Sequence, residues 1–372
     1  MNRETTQRKD KKMKAWKLHQ INSIKQEETK VPELRDGEVL VAVKAAGICG
    51  SDIPRIYRDG AHQMPLVPGH EFSGEVVQVG KWVDESWLHK RVGVYPLIPC
   101  HECSSCRKGY FEMCKQYSYL GSRQDGGFAE FVAVPERNLI ELPDAVTYEQ
   151  AAMLEPMAVA AHAMRRVSMS QNSTVVVYGL GTIGLLLTML LLEKGIENVY
   201  VIGNKPMQKE FVKNLGIAEK RYCDAYQMNI EEWLSELTNG NGADIVFECI
   251  GKNEAYAKAI ELAAAGGIVC VVGNPDTDMN LEKFVYWKIL RNQLTVVGTW
   301  NSAFFMQEDA YDVEGCFRDA SDWEYVLSKL EQKRICPEKL ITHQFSFDEL
   351  EQGLELMRDK KETYIKVMII NS

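Results

Sequence analysis

A glycine triplet constrains this chain more than any other feature. Gly179, Gly181 and Gly184 stand in VVVYGLGTIGLLLTMLLL, after an apolar strand-like run and before a long apolar segment. A bare G-x-G-x-x-G is a weak signal, but at a strand-to-helix junction it marks a dinucleotide-binding turn. The first glycine permits the tight turn, the second lets a pyrophosphate approach the backbone, and the third lets helix and strand pack closely. The helix N-terminus adds free N–H groups and a positive dipole end. A glycine-rich turn that binds nothing is the competing reading. The flanking text supports the first. TVVVYG leads into a helical stretch through Lys194, NVYVIG into PMQKEFVKNLG, and ADIVFECIG into NEAYAKAIELAAAG, with GIVCVVG and LTVVG as two further short strands. Strands alternating with helices of this length predict βαβ units and a doubly wound parallel sheet, an α/β fold.

The text before this region is different. From about residue 13 to 140, VLVAVKAAG, FSGEVVQVG, KRVGVYP and GGFAEFVAV alternate or run β-branched and end on Gly or Pro. The 372 residues suggest two domains at roughly 150 residues each. The expected division is a polar, loose extension over 1–12, a β-rich domain over 13–165 and 303–372, and a coenzyme domain over 166–302. The tail should hold amphipathic helices near Trp323–Glu331 and Phe347–Arg358, then the strand TYIKVMII. A net charge of −9 with dispersed Lys and Arg argues against a nucleic-acid groove or an anionic membrane surface. The apolar run Ile183–Leu192 falls well short of the roughly 20 residues that cross a bilayer. The basic start has no apolar stretch and does not read as a signal peptide. Ten cysteines in such a chain point to a reducing cytoplasm, where clustered thiols more often hold metal than form disulfides.

Four of those cysteines form C-x2-C-x2-C-x7-C: Cys100, Cys103, Cys106 and Cys114 in CHECSSCRKGYFEMC. Two-residue gaps let a tight turn aim neighbouring thiolates at one ion, and the fourth closes a tetrahedron. Four thiolates with no open position make a structural zinc site. The spacing also fits an iron–sulfur cluster, and four unrelated buried thiols are the plainest alternative. His101 is a spare donor that reads better as a solvent-facing loop residue.

The second strand of a dinucleotide fold ends, about 20 residues after the glycines, on an acid that grips the ribose of NAD. Here it ends on Gly203, followed by Asn204 and Lys205. Without the acid, and with an amide and an ammonium group in its place, the turn suits a 2′-phosphate. NADP is therefore the expected coenzyme; with Lys205 as a solvated helix-start lysine, NAD is the alternative. Arg221 and Tyr222 lie further along without a firm role. The expected coenzyme residues are Gly179, Gly181, Thr182, Ile183, Gly184, Gly203, Asn204 and Lys205, together with Lys366 near the C-terminus.

Three more residues complete the pattern: Cys49 in GICGSD, His70 in GHEFSGEV and Glu155 in MLEPMAVA. Combined with the cysteine cluster and the glycine turn, they make the chain resemble the zinc-dependent medium-chain alcohol and polyol dehydrogenases over nearly its whole length. GICGSDIPRIYRDGAH, GHEFSG, GSRQDGGFAEF and Glu155–Pro156 carry a nearer resemblance to the members acting on polyols and polyol phosphates. The resemblance implies a GroES-like catalytic domain interrupted by a Rossmann domain. It implies a catalytic zinc on Cys49, His70 and Glu155, with Glu71 as an exchanging carboxylate, Asp52 orienting His70, and Ser51 taking the substrate hydroxyl's hydrogen bond. Pro54 stands where liver-type alcohol dehydrogenases carry a relay histidine, so any proton must leave through Ser51 and water or through Glu71. The implied reaction is hydride transfer between NAD(P) and a polyol or polyol phosphate, in its most specific form galactitol 1-phosphate to tagatose 6-phosphate. Arg55 and Arg123 are the candidate phosphate partners, with Arg58 and His62 in the same segments. An unphosphorylated secondary alcohol such as sorbitol, butanediol or L-threonine is the alternative substrate. The resemblance also implies a cytoplasmic homodimer or homotetramer with sheets joined edge to edge, for which LTVVG is the candidate edge. A coenzyme-binding protein without catalysis would have lost the zinc ligands, and all are present here.

Overall fold

A computed structural model describes residues 11–275, 277–305 and 321–371. Of the expected extension over 1–12, residues 1–10 lie outside the described residues, and Lys12 already opens the first strand. The chain divides into two compact units, one running to Glu155 and resuming at Ala303, the other spanning Pro156 to Ser302. The first border thus falls earlier than residue 165, at the start of the helix Leu154–Arg165.

The first unit is built on β strands. β1 (Lys12–Gln20) and β2 (Ser23–Lys30) form an antiparallel hairpin. Around them come β3 (Glu38–Ile48), β4 (Glu71–Val79), β5 (Arg91–Val94), β6 (Leu97–Ile98), β7 (Ser118–Tyr119), β8 (Phe131–Pro135) and β9 (Leu139–Glu141), and the tail returns as β16 (Ile341–Ser346) and β17 (Lys366–Ile370). One seven-stranded sheet has the order β16-β17-β3-β4-β5-β9, with β8 also on β3. The β-branched alternation of VLVAV places Val39, Val41 and Val43 in a core with Phe72, Val76, Phe128 and Val132. Period-two alternation gives such a strand one buried face.

Register does the positioning. β3 pairs antiparallel with β4, setting Gly47 opposite Glu71, and with β17, setting Ile48 opposite Val367. Three strand ends therefore meet where β3 runs out into Cys49. β6 and β7 pair separately, Leu97 opposite Tyr119 and Ile98 opposite Ser118, so the cysteine-rich loop leaves and re-enters one short ribbon. Helices α1 (Tyr148–Ala152) and α2 (Leu154–Arg165) follow β9, and the tail carries α8 (Asp322–Glu331) and α9 (Leu350–Asp359). The second tail helix opens with a 3-10 turn over Phe347–Glu349, which accounts for its expected start at Phe347.

The second unit is a six-stranded, wholly parallel sheet of β10 (Thr174–Tyr178), β11 (Asn198–Gly203), β12 (Tyr222–Asp224), β13 (Ala243–Glu248), β14 (Ala263–Val271) and β15 (Thr295–Gly298). Its order, β12-β11-β10-β13-β14-β15, is that of a doubly wound dinucleotide fold, with the reversal of strand order beside β10. The connecting helices are α3 (Thr182–Glu193), α4 (Pro206–Asn214), α5 (Ile230–Leu237), α6 (Asn253–Leu262) and α7 (Lys283–Arg291). α3 is apolar on every side and Leu185, Leu187 and Leu191 are fully buried. Each such leucine contributes about 1.5–3 kcal/mol on leaving water, so the helix can sit only in a core. Among the described residues no helix is long and apolar enough to cross a membrane.

Two local expectations differ from the structure. The AAAG that reads as the end of a helix belongs to β14, where Ala263 pairs with Ala243 before a register shift. Alanine has no side chain to insist on a helix, and Gly266 at φ +74° supplies the turn that breaks the ladder. α5, α7 and the three-residue β12 were not anticipated; strand signals this short fall below the reach of periodicity.

Gly184 shows how tightly this unit is specified. A Cβ there would collide with the carbonyl oxygen of Gly179. Gly184→Ala is expected to lower unfolding free energy by about 1–3 kcal/mol; an unchanged urea midpoint would refute this packing.

Candidate active site

Cys49 follows β3, His70 precedes β4, Glu71 opens β4, and Lys366 opens β17. The ligand atoms of Cys49, His70 and Glu71 all lie within 4.8 Å of one another. Lys366 is paired with Glu71, and its ammonium also donates to the Ile48 carbonyl at 3.0 Å. Both partners are fully enclosed, at 2% and 1% exposure. Gly47 makes room for them, since a Cβ there would strike the Glu71 carboxylate and the Lys366 side chain. Lys366 is thus committed to Glu71 in this geometry, whereas the sequence suggested a role toward the coenzyme.

Asp52 organises the other side. It is completely buried; Oδ2 accepts from the Cys49 backbone N–H at 3.0 Å and Oδ1 from the Arg55 guanidinium at 2.5 Å. His70 Nδ1 lies 3.4 Å from Asp52 Oδ1, without a formed hydrogen bond. With Nδ1 turned to Asp52, the nitrogen left for a metal is Nε2, the arrangement in which a carboxylate fixes tautomer and raises ligand basicity. Burial opposes charge on His70, but Asp52 and Cys49 together raise its pKa well above the usual imidazole range. For Asp52 burial likewise favours the neutral acid, and His70 and Arg55 overcome it, holding the carboxyl below its ordinary value.

Glu155 comes from the first turn of α2, and its carboxylate is not among the three groups that converge within 4.8 Å. Tyr119 donates its hydroxyl to Glu155 Oε1 at 3.1 Å and packs edge-on to the His70 ring, centroids 5.8 Å apart. Burial, reinforced by the negative charge of Glu71, pushes Glu155 up to about 7. Tyr119 was not anticipated; it sits on a two-residue strand with no spacing signal, and only the fold brings it to Glu155. Ser51 donates to Cys49 Sγ at 3.3 Å. A thiol, an imidazole and the Glu71 carboxylate are thus gathered at one point, with the Glu155 carboxylate outside that set and Lys366 and Arg55 as neighbouring cations. Cys49, His70 and Glu71 are donors of the types that hold a catalytic zinc.

The four cluster cysteines converge as a second set within 4.8 Å. Cys114 Sγ accepts backbone N–H groups from Cys100 at 3.2 Å and Gln116 at 3.4 Å. Backbone donors pull Cys103 down to about 6, while burial pushes Cys106 up. The donor set is that of a structural zinc. His101 stacks against Phe111 at 5.2 Å, beside the cluster and not within the converging set.

At the glycine turn, Gly179 has φ +103° and a Cβ would meet Ile250 at 2.5 Å. Gly181 caps α3, and a Cβ there would meet nothing within 4 Å, so the approach to the helix N-terminus is open. That opening fits a pyrophosphate. Thr182 and Ile183 form the first turn of the same helix. Gly203 is closed off: a Cβ would meet Gln208 Oε1 and Leu180 at 2.9 Å and Tyr222 at 3.3 Å. Gln208 ties this turn together, accepting from the backbone N–H groups of Asn204 and Lys205 at 3.1 and 3.2 Å and donating to the Leu180 carbonyl at 2.8 Å. Arg221 is held by the Glu197 carbonyl and lies over Tyr200, which removes it from this turn.

The candidate anion partners form a group of their own. Burial, then the charges of Arg123 and Arg55, depress His62 below its ordinary pKa. Arg123 stacks on Tyr117 at 4.6 Å with its Nε lacking a hydrogen-bond partner. Arg58 is paired with Asp59 at 2.8 Å.

Comparison with known proteins agrees with these features. Residues 35–144 match the alcohol dehydrogenase GroES-like domain, and residues 182–317 the zinc-binding dehydrogenase family. Galactitol 1-phosphate 5-dehydrogenase of Escherichia coli (strain K12) is 32% identical over 88% of this chain and 91% of its own. Sorbitol dehydrogenase of Bacillus subtilis (strain 168) is 28% identical over 96% and 97%. The crystal structure of galactitol-1-phosphate dehydrogenase from Escherichia coli superposes with a TM-score of 0.86 at 31% identity, covering 96% of this chain and 100% of that one. A GroES-like unit with a cysteine-histidine-carboxylate centre, joined to a Rossmann-type unit with an open glycine turn, places this chain in the family of zinc-type medium-chain alcohol and polyol dehydrogenases, NAD(P)-dependent oxidoreductases.

Proposed function

We propose that the enzyme oxidises a polyol phosphate at a secondary carbinol, galactitol 1-phosphate to tagatose 6-phosphate, with NADP as hydride acceptor. The observation that carries the phosphate is the basic group of Arg123, His62 and Arg55, which Arg55 links through Asp52 to His70. A guanidinium with an unpartnered buried N–H is a strong site for a phosphate oxygen. The commitment of Arg55 to Asp52 favours a second reading, an unphosphorylated polyol or other secondary alcohol.

Cys49, His70 and Glu155 would hold the catalytic zinc, with Glu71 in reserve, and Cys100, Cys103, Cys106 and Cys114 a structural one. Zinc, when bound, supplies Lewis acidity that brings deprotonation of an alcohol within reach of neutral pH. Asp52 keeps His70 in the Nε2-ligating tautomer. Lys366 neutralises Glu71 and restrains it on the Gly47 side of the centre. Ser51 stands beside Cys49 to accept the hydrogen bond of the substrate hydroxyl. With Pro54 closing the usual histidine route, the proton passes from Ser51 to water or to Glu71. The enzyme belongs in the cytoplasm, where the thiolates stay reduced.

Two copies are expected to join along β15, an edge strand with Val296 exposed, flanked by the exposed Phe284, Trp287 and Leu290 of α7. An unpaired edge with an apolar patch beside it is a template for pairing.

Three outcomes test this reading. Galactitol 1-phosphate should exceed free galactitol in kcat/KM, and Arg123→Ala should erase about 30-fold of that preference, as the loss of a charge-assisted bond would; equal rates on both substrates would move the assignment to the unphosphorylated alcohols. Lys205→Ala should raise KM for NADP about tenfold while leaving that for NAD unchanged, the scale of one exposed-to-buried phosphate contact; a wild-type preference for NAD would make Lys205 a surface charge. Light scattering should give a mass of at least two 42.2 kDa chains, reduced by Trp287→Glu; a monomeric wild type would reject the edge assignment.

A further inference from the structure

The Tyr119 hydroxyl reaches Glu155 without itself being a candidate ligand. It donates to Oε1 at 3.1 Å. Its ring stands against the His70 ring, and its strand β7 pairs with β6 in a fixed register, Leu97 opposite Tyr119. The loop between those two strands contains all four cluster cysteines. Ile98 lies just before Cys100, and Ser118 just after Cys114, whose sulfur is bonded to the Cys100 backbone N–H. Glu71, by contrast, is restrained from the opposite side by Lys366. The two carboxylates therefore have separate holders, and the holder of Glu155 is anchored to the cysteine cluster.

We propose that Tyr119 is a positioning residue for the catalytic metal: by occupying Oε1 it leaves Oε2 of Glu155 as the oxygen presented to the ion, and the cysteine cluster sets that presentation through the β6–β7 ribbon. The proposal rests on the reading of Cys49, His70 and Glu155 as a metal centre. A phenol-to-carboxylate hydrogen bond is charge-assisted and directional. Holding one oxygen of a ligating carboxylate fixes the plane of the group, which is how partners outside the ligand set tune a metal.

The test is a cycle of Tyr119→Phe, Glu155→Ala and the double variant, read by competition of each protein with a chelator for zinc and by the electronic spectrum after cobalt(II) exchange. Tyr119→Phe removes one oxygen atom and should weaken the more labile metal site about 10–100-fold, shift the cobalt bands, and leave the cluster metal in place as a control for folding. In the Glu155→Ala background, the same Tyr119 change should have no further effect, because its acceptor is gone; non-additivity of this kind marks direct coupling. Unchanged affinity and spectrum in Tyr119→Phe, or an equal loss in both backgrounds, would overturn the proposal. A wild-type protein holding only one metal per chain would instead overturn the metal reading of the site itself.

Discussion

The site depends on one buried ion pair. Lys366 and Glu71 are enclosed at the ends of β17 and β4, on either side of Gly47. Removing one partner of such a pair costs about 3–5 kcal/mol because the other is left charged and alone. Its geometry requires the register of three neighbouring strands, and one of those strands comes from the C-terminal tail. The tail therefore belongs to this site in a chemical sense, since β17 supplies the ammonium that balances Glu71 beside Cys49 and His70. Two further contacts follow the same logic: Asp52 balances His70 and Arg55, and Tyr119 answers Glu155. Each acidic group at the centre has a dedicated partner, and the charge left over is what a divalent ion would meet.

The second unit solves a different problem with backbone alone. Gly179, Gly181 and Gly184 contribute by what they lack: a positive φ at the first, open space at the second, and contact with the first glycine's carbonyl at the third. Gly203 works in the same way, because Gln208 fills the place where an acid would stand. The missing acid is thus matched by packing around it, and the turn presents Asn204 and Lys205 next to the glycine loop.

Most of this was readable from sequence where the signal is local. The glycine turn, the cysteine spacing and the alternation of strand and helix each occupy a few contiguous residues; the parallel sheet forms and the four cluster cysteines converge, while the second converging set is Cys49, His70 and Glu71. What escaped depends on contacts far apart in the chain. Tyr119 is 36 residues from Glu155 and carries no motif. Lys366 is 295 residues from Glu71, so its ion pair emerges only from the sheet register. Resemblance alone names Glu155 as a ligand; its carboxylate lies outside the three donors that converge within 4.8 Å and accepts the Tyr119 hydroxyl. The AAAG segment failed for the opposite reason: alanine propensity is weak, and the parallel ladder decides.

The proposed function requires two separate metal centres, which a count of zinc per subunit in purified wild type and in Cys49→Ser can separate. The account predicts two zinc ions falling to one, with the remaining ion still tied to Cys100, Cys103, Cys106 and Cys114. A count of one in both proteins would contradict it.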